Sequence, residues 1–525
     1  MMKITPYGGV EEIGGNKILV ETSRSRLMLD FGISYKQKGK FFEEYLAVRS
    51  QSALHDYLEL GLLPEIEGIY RKDAFRPPDN GEDLGRSEDL WPRELLSYGG
   101  YKEDRGEPFL DGLLISHGHD DHHALSAFLG PVPTYCSAGT AALMEVGQRI
   151  GNYHGYEGEL TYLQKRSVGQ YKGGFFPGAK KTVKGEKVER PFNTFDGSRS
   201  FRLGKEGEIE VRAVPVGHSV PGAVAYFIEA EGESLLYTGD IRFHGRYASK
   251  EEVLERLASL DPDLLLIEGT RIDDAAKDDE EGVRVDLEEE IAGTSGLAMI
   301  GFRWKDVERF QTVREAAINC GRTLVISARL AYLLHRLGYD VEGMEDVEVF
   351  LERRRSMLYS PGDYTRNKYK AGYSTEWERG EIKESDIKHL SDGVDALTLR
   401  KNPREFVLQL TYWGFNNLLD IQPPPGSIYI RASTEPFNAE MELSEERLGN
   451  WLAHFGINEP DGRPRYIHAS GHASGPELLE LTRAIDPGTV IPIHSESPEI
   501  YAKEIRRSRV LLPRRGRTIE SDALL

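Results

Sequence analysis

The chain has 525 residues, 39% apolar and 29% charged, which suits two or three globular domains rather than one. No run approaches the roughly 20 apolar residues needed to span a bilayer, and the opening MMKITPYGGVEEIGG lacks the apolar core of a secretion signal; the expectation is a cytoplasmic protein with no membrane partner. The net charge of −20 argues against indiscriminate nucleic-acid binding, because phosphate is repelled at long range, and confines any such binding to a local basic groove.

Along the chain, KILVE (17–21) and RLMLDFG (26–32) read as short strands ending in turn residues. Residues 36–108 read as an insertion: FFEEYLAVRSQSALHDYLELG (41–61) has helical spacing, a Pro/Gly/Asp-rich stretch follows, and WPRELLSYGG (91–100) is again helix-like. Its apolar residues Phe41, Phe42, Tyr45, Leu46, Leu54, Tyr57, Leu58 and Leu62 call for a partner surface, either another domain of the chain or another subunit. FLDGLLIS (109–116) is a buried-strand pattern, PVPTYCS another, and AGTAALMEVGQRIG is helical. Residues 151–200, rich in Gly, Lys and aromatics, read as irregular hairpins. Four strand-like runs come next: EIEVRAVPVGHS, AVAYFIEA, SLLYTGD and DLLLIEGT. From about 270 to 440 helices alternate with strands, as in a separate α/β domain, and 466–496 returns to strand, loop, helix and strand. Basic residues crowd three places: Lys503, Arg506, Arg507, Arg509, Arg514, Arg515 and Arg517; Lys180, Lys181, Lys184, Lys187 and Arg190; and Arg353, Arg354 and Arg355. Each reads first as a solvated face. The two cysteines, Cys136 and Cys320, form neither a disulfide framework nor a thiolate metal site.

The chemistry concentrates in SHGHDDHH (116–123). Zinc takes imidazole nitrogen and carboxylate oxygen and, in catalysis, keeps one position open for water. His117 and His119, two apart in a loop leaving a strand, can converge on one ion, while Asp121 and His122 project another way and can serve a second. His218, Asp240 and His494 each close a later strand, and together these residues supply enough ligands for two ions and a bridging carboxylate. Histidine and carboxylate without cysteine suit a hydrolytic Zn²⁺ pair, two per chain, or Mn²⁺.

The ordered motifs Asp30, His117–His122, His218 and Asp240 resemble those of the metallo-β-lactamase superfamily. The resemblance implies an α/β fold, an αββα sandwich, with His117, His119 and His218 on one ion, Asp121, His122 and His494 on the other, Asp240 bridging, and Asp30 supporting the metal loop. IEGT (267–270) resembles motif A of the β-CASP branch, HASGHAS (468–474) its motif B and PIHSE (492–496) its motif C. Within that branch the likeness is to ribonuclease J and cleavage-factor nucleases, which the N-terminal GGVEEIGGN (8–16) and the loop RASTEPF (431–437) also resemble. Phe302-Arg303-Trp304 departs from that group, which has Ala-Ser-Asn near its phosphate pocket, and no residues remain for ribonuclease J's C-terminal domain. The implied organisation is a first metallo-β-lactamase part over 1–265 with insertions at 36–108 and 151–200, an inserted α/β β-CASP domain over 266–450, and a closing part over 451–525.

The implied activity is hydrolysis of phosphodiester bonds in single-stranded RNA by a water activated by two metals, in a chain that leaves room for a homo-oligomer. The resemblance makes Asp121, Glu268 and His472 the catalytic set. A histidine beside a carboxylate stays protonated near neutrality, so His472, oriented by Glu268, suits protonation of the leaving oxygen. Ser470, Gly471 and Ser474 flank it in a loop opening a helix, whose free N–H groups suit a phosphate, and Ser433 joins them as a substrate-binding candidate; Ser470 and Ser474 are equally placed to cap that helix. Two rival activities share the architecture: a DNA nuclease, in which an apolar residue typically replaces His494, and a non-catalytic scaffold subunit, against which the intact ligand set argues.

Overall fold

The computed structural model of the chain describes residues 2–43, 45–49, 52–75, 93–150, 158–168, 181–246, 249–276, 279–341, 343–353, 363, 393–434, 439–460 and 462–520. The Pro/Gly/Asp-rich stretch RPPDNGEDLG (76–85), Lys180, Arg354, Arg355 and the last three residues of RASTEPF lie outside them.

Two mixed sheets face each other. The first runs in the order Ile519–Glu520, Lys3–Gly8, Lys17–Glu21, Arg26–Leu29, Gly112–Leu114, Thr134–Ser137, Phe192–Phe195. The second runs Arg509–Val510, Thr489–Pro492, Leu264–Ile267, Glu233–Tyr237, Val224–Ala230, Ile209–Pro215, Arg199–Leu203. Alternate side chains of a strand point to opposite faces, and the partition is visible in single strands. Ile18, Val20, Leu27 and Leu29 meet Val211, Tyr226, Leu235, Tyr237, Leu264 and Leu266 in the core between the sheets. Leu19, Met28 and Leu113 face outward on the first sheet, and Phe227, Leu236, Leu265 and Ile267 outward on the second. The second sheet's outer face is covered by helix Lys250–Ala258, opened by a Ser249–Glu252 capping box, through Val253 and Leu257, and by helix Gly475–Ile485 through Leu478, Leu481 and Ile485. The result is a metallo-β-lactamase-like α/β sandwich.

The first sheet's outer face is where the early insertion finds its partner. Leu54, Tyr57, Leu58 and Leu62 pack against Leu19, Met28, Leu113 and Ile115, so they complete the sandwich rather than meet another domain or subunit. Among the described residues of 41–61, helix is confined to Ala53–Glu59; residues 41–43 and 45–49, expected to be helical from their spacing, are not. Phe42 and Val48 reach the outer-face core, but Tyr45 is 83% and Leu46 60% exposed, and Arg49 folds back to the Asp56 carboxylate, its Nε donating at 3.1 Å. Similarly, helix Tyr98–Arg105 starts only after Ser97, whose Oγ accepts from Gly100 N at 3.2 Å, leaving 93–96 of the WPRELLSYGG run outside it. Among the described residues of 151–200, Thr161–Val168 pairs antiparallel with Lys181–Glu189.

A third sheet is parallel throughout: Val394–Asp395, Val347–Leu351, Thr323–Ile326, Phe406–Gln409, Ala298–Gly301, Ile428–Arg431, Arg465–Tyr466. Both its faces are buried, as parallel sheets require. Ala298, Ile300, Leu324, Ile326, Ile428 and Ile430 lie in one core, and Leu297, Met299, Val325 and Tyr429 in the other. This second α/β unit, of β-CASP type, is stitched to the sandwich by buried charge. Helix Val307–Asn319 presents Arg309, whose guanidinium donates to both Glu280 oxygens at 3.1 and 3.0 Å, to Ala432 O at 2.7 Å and to Ala469 O at 3.2 Å. From the sandwich, Arg242 donates to Glu280 at 3.4 Å and to Glu308. Burial alone would raise the Glu280 carboxyl, but Arg309 and then Arg242 hold it down at about 2. Removing one partner of such a group strands the other charge. Arg309→Leu is therefore expected to destabilise the protein by about 3–5 kcal/mol, measured as a lowered urea midpoint for the sandwich and the second unit together.

Candidate metal centre

The centre is built where strands of both sheets end. Gly112–Leu114 leads into His117–His122, Ile209–Pro215 into His218, Glu233–Tyr237 into Asp240, Leu264–Ile267 into Glu268 and Thr489–Pro492 into His494. The segment after Arg26–Leu29 is laid along the metal loop backbone to backbone: Phe31 N donates to His122 O at 2.7 Å and Ile33 N to Asp120 O at 3.1 Å. Only glycine fits between them, since a Cβ on Gly32 would stand 1.7 Å from Asp121 O. His494 is held at φ 50°, a left-handed conformation uncommon for a side-chain-bearing residue, with its N–H on Gly9 O at 2.7 Å.

These turns gather two clusters. His117 Nε2, His119 Nδ1, His218 Nε2 and an Asp240 oxygen lie within 4.8 Å of one another, and so do ligand atoms of Asp121, His122 and His494. His119 Nδ1 is 3.1 Å from His117 Nε2 and 3.0 Å from His218 Nε2. Asp240 stands between the clusters: Oδ2 is 3.5 Å from His117 Nε2 and 3.3 Å from His122 Nε2, and Oδ1 is 3.7 Å from His494 Nε2. Buried polar atoms are normally hydrogen-bonded, yet His122 Nε2 and Asp240 Oδ1 have no hydrogen-bond partner. Burial, with the other imidazoles, pushes His117 and His119 well below the ordinary histidine value, and burial pushes His218 down to about 3, leaving neutral rings with free lone pairs. Burial also opposes charge on His122, but Asp240, Asp121 and Asp30 outweigh it and hold that ring well above its ordinary value. The clusters are consistent with metal-binding sites, and nitrogen and oxygen donors without thiolate fit Zn²⁺ or Mn²⁺.

Behind most ligands stands a group that fixes the ring. Asp30 is no ligand: its carboxylate takes Ser116 N and Ser116 Oγ at 2.7 Å each and the Tyr237 hydroxyl, and lies 2.7 Å from His122 Nδ1. His218 Nδ1 donates to Gly471 O at 2.6 Å, and His494 Nδ1 lies 2.8 Å from Thr270 Oγ1. Sequence reasoning passed over Ser116, Tyr237 and Thr270. Ser116 and Thr270 stood inside the quoted motifs, beside a ligand and an acid, where a second hydroxyl partner could have been sought; Tyr237 carried no signal, since any strand can end in a tyrosine.

Beside the clusters, His472 Nδ1 lies 3.0 and 3.1 Å from the two Glu268 oxygens and 3.9 Å from Asp240 Oδ2. Burial opposes the imidazolium, but Glu268 and then Asp240 overcome it and push His472 up to about 9. The remaining singled-out residues divide. Ser470 Oγ accepts from His472 N at 3.2 Å, so it shapes the loop. Ser474 is buried at the helix start and its hydroxyl donates to Glu477 at 2.9 Å. Ser433 follows Ala432, whose carbonyl shares Arg309 with Ala469, so the RAST loop lies beside HASGHAS. Of the C-terminal arginines, Arg515 donates to Tyr7 O and Gly61 O, at 2.9 and 2.6 Å. No helix among the described residues is long and apolar enough to cross a membrane.

Comparison with known proteins agrees with this architecture. Residues 101–292 match the model of a beta-lactamase superfamily domain, and residues 463–509 that of a Zn-dependent metallo-hydrolase RNA specificity domain. Ribonuclease J of Sinorhizobium meliloti is 22% identical over 401 residues, covering 75% of this chain and 59% of that protein. Ribonuclease J of Corynebacterium glutamicum is 21% identical over 539 residues, covering 99% and 58%. The chain thus spans under two thirds of the length of these relatives. A solved structure of an Enterococcus faecalis V583 protein of unknown function superposes with a TM-score of 0.65 at 20% identity, over 99% of both chains. The fold is of the metallo-β-lactamase type with a β-CASP-type second unit, and it carries clusters consistent with metal-binding sites. Its relationship to ribonuclease J-like nucleases is distant.

Purified protein is expected to carry about two transition-metal ions per chain, and Asp240→Ala, which removes the carboxylate between the clusters, to lower the occupancy of both. Elemental analysis finding no tightly held metal, and no activation by added Zn²⁺ or Mn²⁺, counts against the centre.

Proposed function

We propose that the protein is a metal-dependent ribonuclease that hydrolyses phosphodiester bonds of single-stranded RNA, with Zn²⁺, two per chain, or Mn²⁺ as cofactor. The observation that carries this reading is His472 clasped by Glu268 at the edge of the paired clusters, in the segment that matches an RNA specificity domain. The names of the ribonuclease J relatives point the same way.

The ions, when bound, supply acidification of a water nucleophile and neutralisation of charge on phosphate. The chain's own residues do the rest. Nδ1 of His472 is committed to Glu268, and Nε2 makes no hydrogen bond among the described residues, so a proton at Nε2 is available to a leaving oxygen. Glu268 keeps that proton in place. It also accepts from Ile241 N at 2.9 Å and, within its own turn, from Thr270 N at 3.1 Å, which fixes the carboxylate against the turn carrying Asp240.

His472→Ala is expected to slow hydrolysis by at least about a hundredfold with metal content unchanged, as for loss of a general acid; loss of metal in that variant would assign His472 to the ligands instead. Single-stranded RNA is expected to be cleaved faster than DNA of the same sequence, since one hydrogen bond to the 2′-hydroxyl is worth about 1 kcal/mol. Matched oligonucleotides decide this, and equal or faster DNA cleavage would reassign the substrate to DNA.

A further inference from the structure

Four of the five clustered histidines are steered from behind. His117 Nδ1 lies 3.1 Å from Ser116 Oγ, His122 Nδ1 lies beside Asp30, His218 Nδ1 donates to Gly471 O and His494 Nδ1 lies beside Thr270 Oγ1. His119 is the exception. Its Nδ1 points into the cluster, and its Nε2 has no hydrogen bond among the described residues. A ligand ring without a partner behind it must be oriented by its own backbone, and that backbone is gripped. Lys305 Nζ donates to Gly118 O at 2.9 Å and to Asp120 Oδ1 at 2.8 Å, the residues on either side of His119.

Lys305 does not belong to the sandwich. It lies between the third-sheet strand Ala298–Gly301 and Asp306, whose carboxylate caps helix Val307–Asn319 by accepting from Arg309 N at 2.9 Å. Its neighbour Trp304 packs on the core of the second unit, with Lys305 Nζ 5.7 Å from the ring centroid. From the opposite side, Tyr35 OH donates to Asp120 Oδ2 at 3.2 Å, so the two Asp120 oxygens are held by different units.

We propose that Lys305 is a positioning residue for His119, so that the first metal cluster takes its final geometry only when the second α/β unit is docked on the sandwich. The inference rests on the two-ion reading of the centre. It makes the two metal sites unequal: the Asp121/His122/His494 site is steered from within the sandwich, and the His117/His119/His218 site depends on a lysine from across the cleft.

The test is a chelator titration of the zinc-loaded full chain, with the Co²⁺-substituted protein's absorption spectrum as a second readout. In Lys305→Met one ion is expected to leave at about tenfold or more lower chelator than in the wild type, the range seen when a ligand's supporting partner is lost, while the other leaves unchanged and only part of the Co²⁺ spectrum alters. Lys305→Arg, which keeps the charge and the reach, is expected to restore the wild-type titration. Asp120→Asn carries the same expectation by itself should Lys305→Met not fold, and combining the two is expected to cost no more than Lys305→Met alone. Equal loosening of both ions, or of neither, overturns the role of Lys305. A wild-type chain that binds no tight ion overturns the metal centre and this role with it, whereas a two-ion wild type that titrates like Lys305→Met overturns the role of Lys305 only.

Discussion

Asp240 is the constraint around which the rest is arranged. It is buried, one of its oxygens has no hydrogen bond, and imidazoles approach it from three sides. An isolated carboxylate at that depth would cost several kcal/mol in desolvation. It is held ionised, well below the ordinary carboxylate value, against burial by His122, His494 and His117. His117 and His122 share one loop, whereas His218, Asp240, Glu268 and His494 come from four others, so the sheets must bring the ends of five strands to one point, and much of the surrounding order serves that convergence. Gly32 lets one backbone lie against another, Asp30 collects Ser116, Tyr237 and His122, and His494 adopts a left-handed backbone to point inward.

A second tier of buried charge joins the second α/β unit to this point. Arg242, two residues after Asp240, reaches Glu280 and Glu308 of the other unit, and it also donates to Ser470 O at 3.2 Å in the loop that carries His472. Arg309 returns from that unit to Ala469 O in the same loop. The loop bearing His472 is thus pinned by a guanidinium from each unit. Hydrophobic packing could join two sheets and leave them free to slide, whereas these hydrogen-bonded charges fix one register.

Much of this was legible because it is local. SHGHDDHH places donors at fixed offsets in one loop, and the strand-end positions of His218, Asp240 and His494 follow from short apolar runs that stop at a turn. The two faces of each strand were readable by the same period: Leu19 and Met28 were destined for the opposite face from Ile18 and Leu29. What failed was also physical. The helical spacing of 41–61 was borne out only in Ala53–Glu59; at 45–46 the apolar residues stay exposed, and the Arg49–Asp56 pair took the chain elsewhere. The partner of Leu54 and Tyr57 could not be named because the outer face of a sheet is a tertiary object. Lys305 was invisible for the same reason: its two acceptors are more than 180 residues away in sequence, and nothing near it marks a lysine that reaches back.

The protonation pattern inside the centre shows how one residue type takes two jobs. The rings of His218 and His472 lie 5.1 Å apart and come from neighbouring turns, the first fully buried and the second partly exposed. His218 gives its Nδ1 hydrogen to a neutral carbonyl, Gly471 O, which stabilises the neutral tautomer with a lone pair at Nε2; burial then drives the ring down to about 3. His472 meets a carboxylate instead, and Glu268 outweighs burial and drives it up to about 9. A lone-pair donor and a proton donor are thereby created side by side, and the difference lies in what stands behind each ring. Environments that push neighbouring titratable groups apart are the usual sign of divided chemical roles. Here the division follows the backbone: Gly471, which supplies the carbonyl to His218, immediately precedes His472, which meets the carboxylate of Glu268.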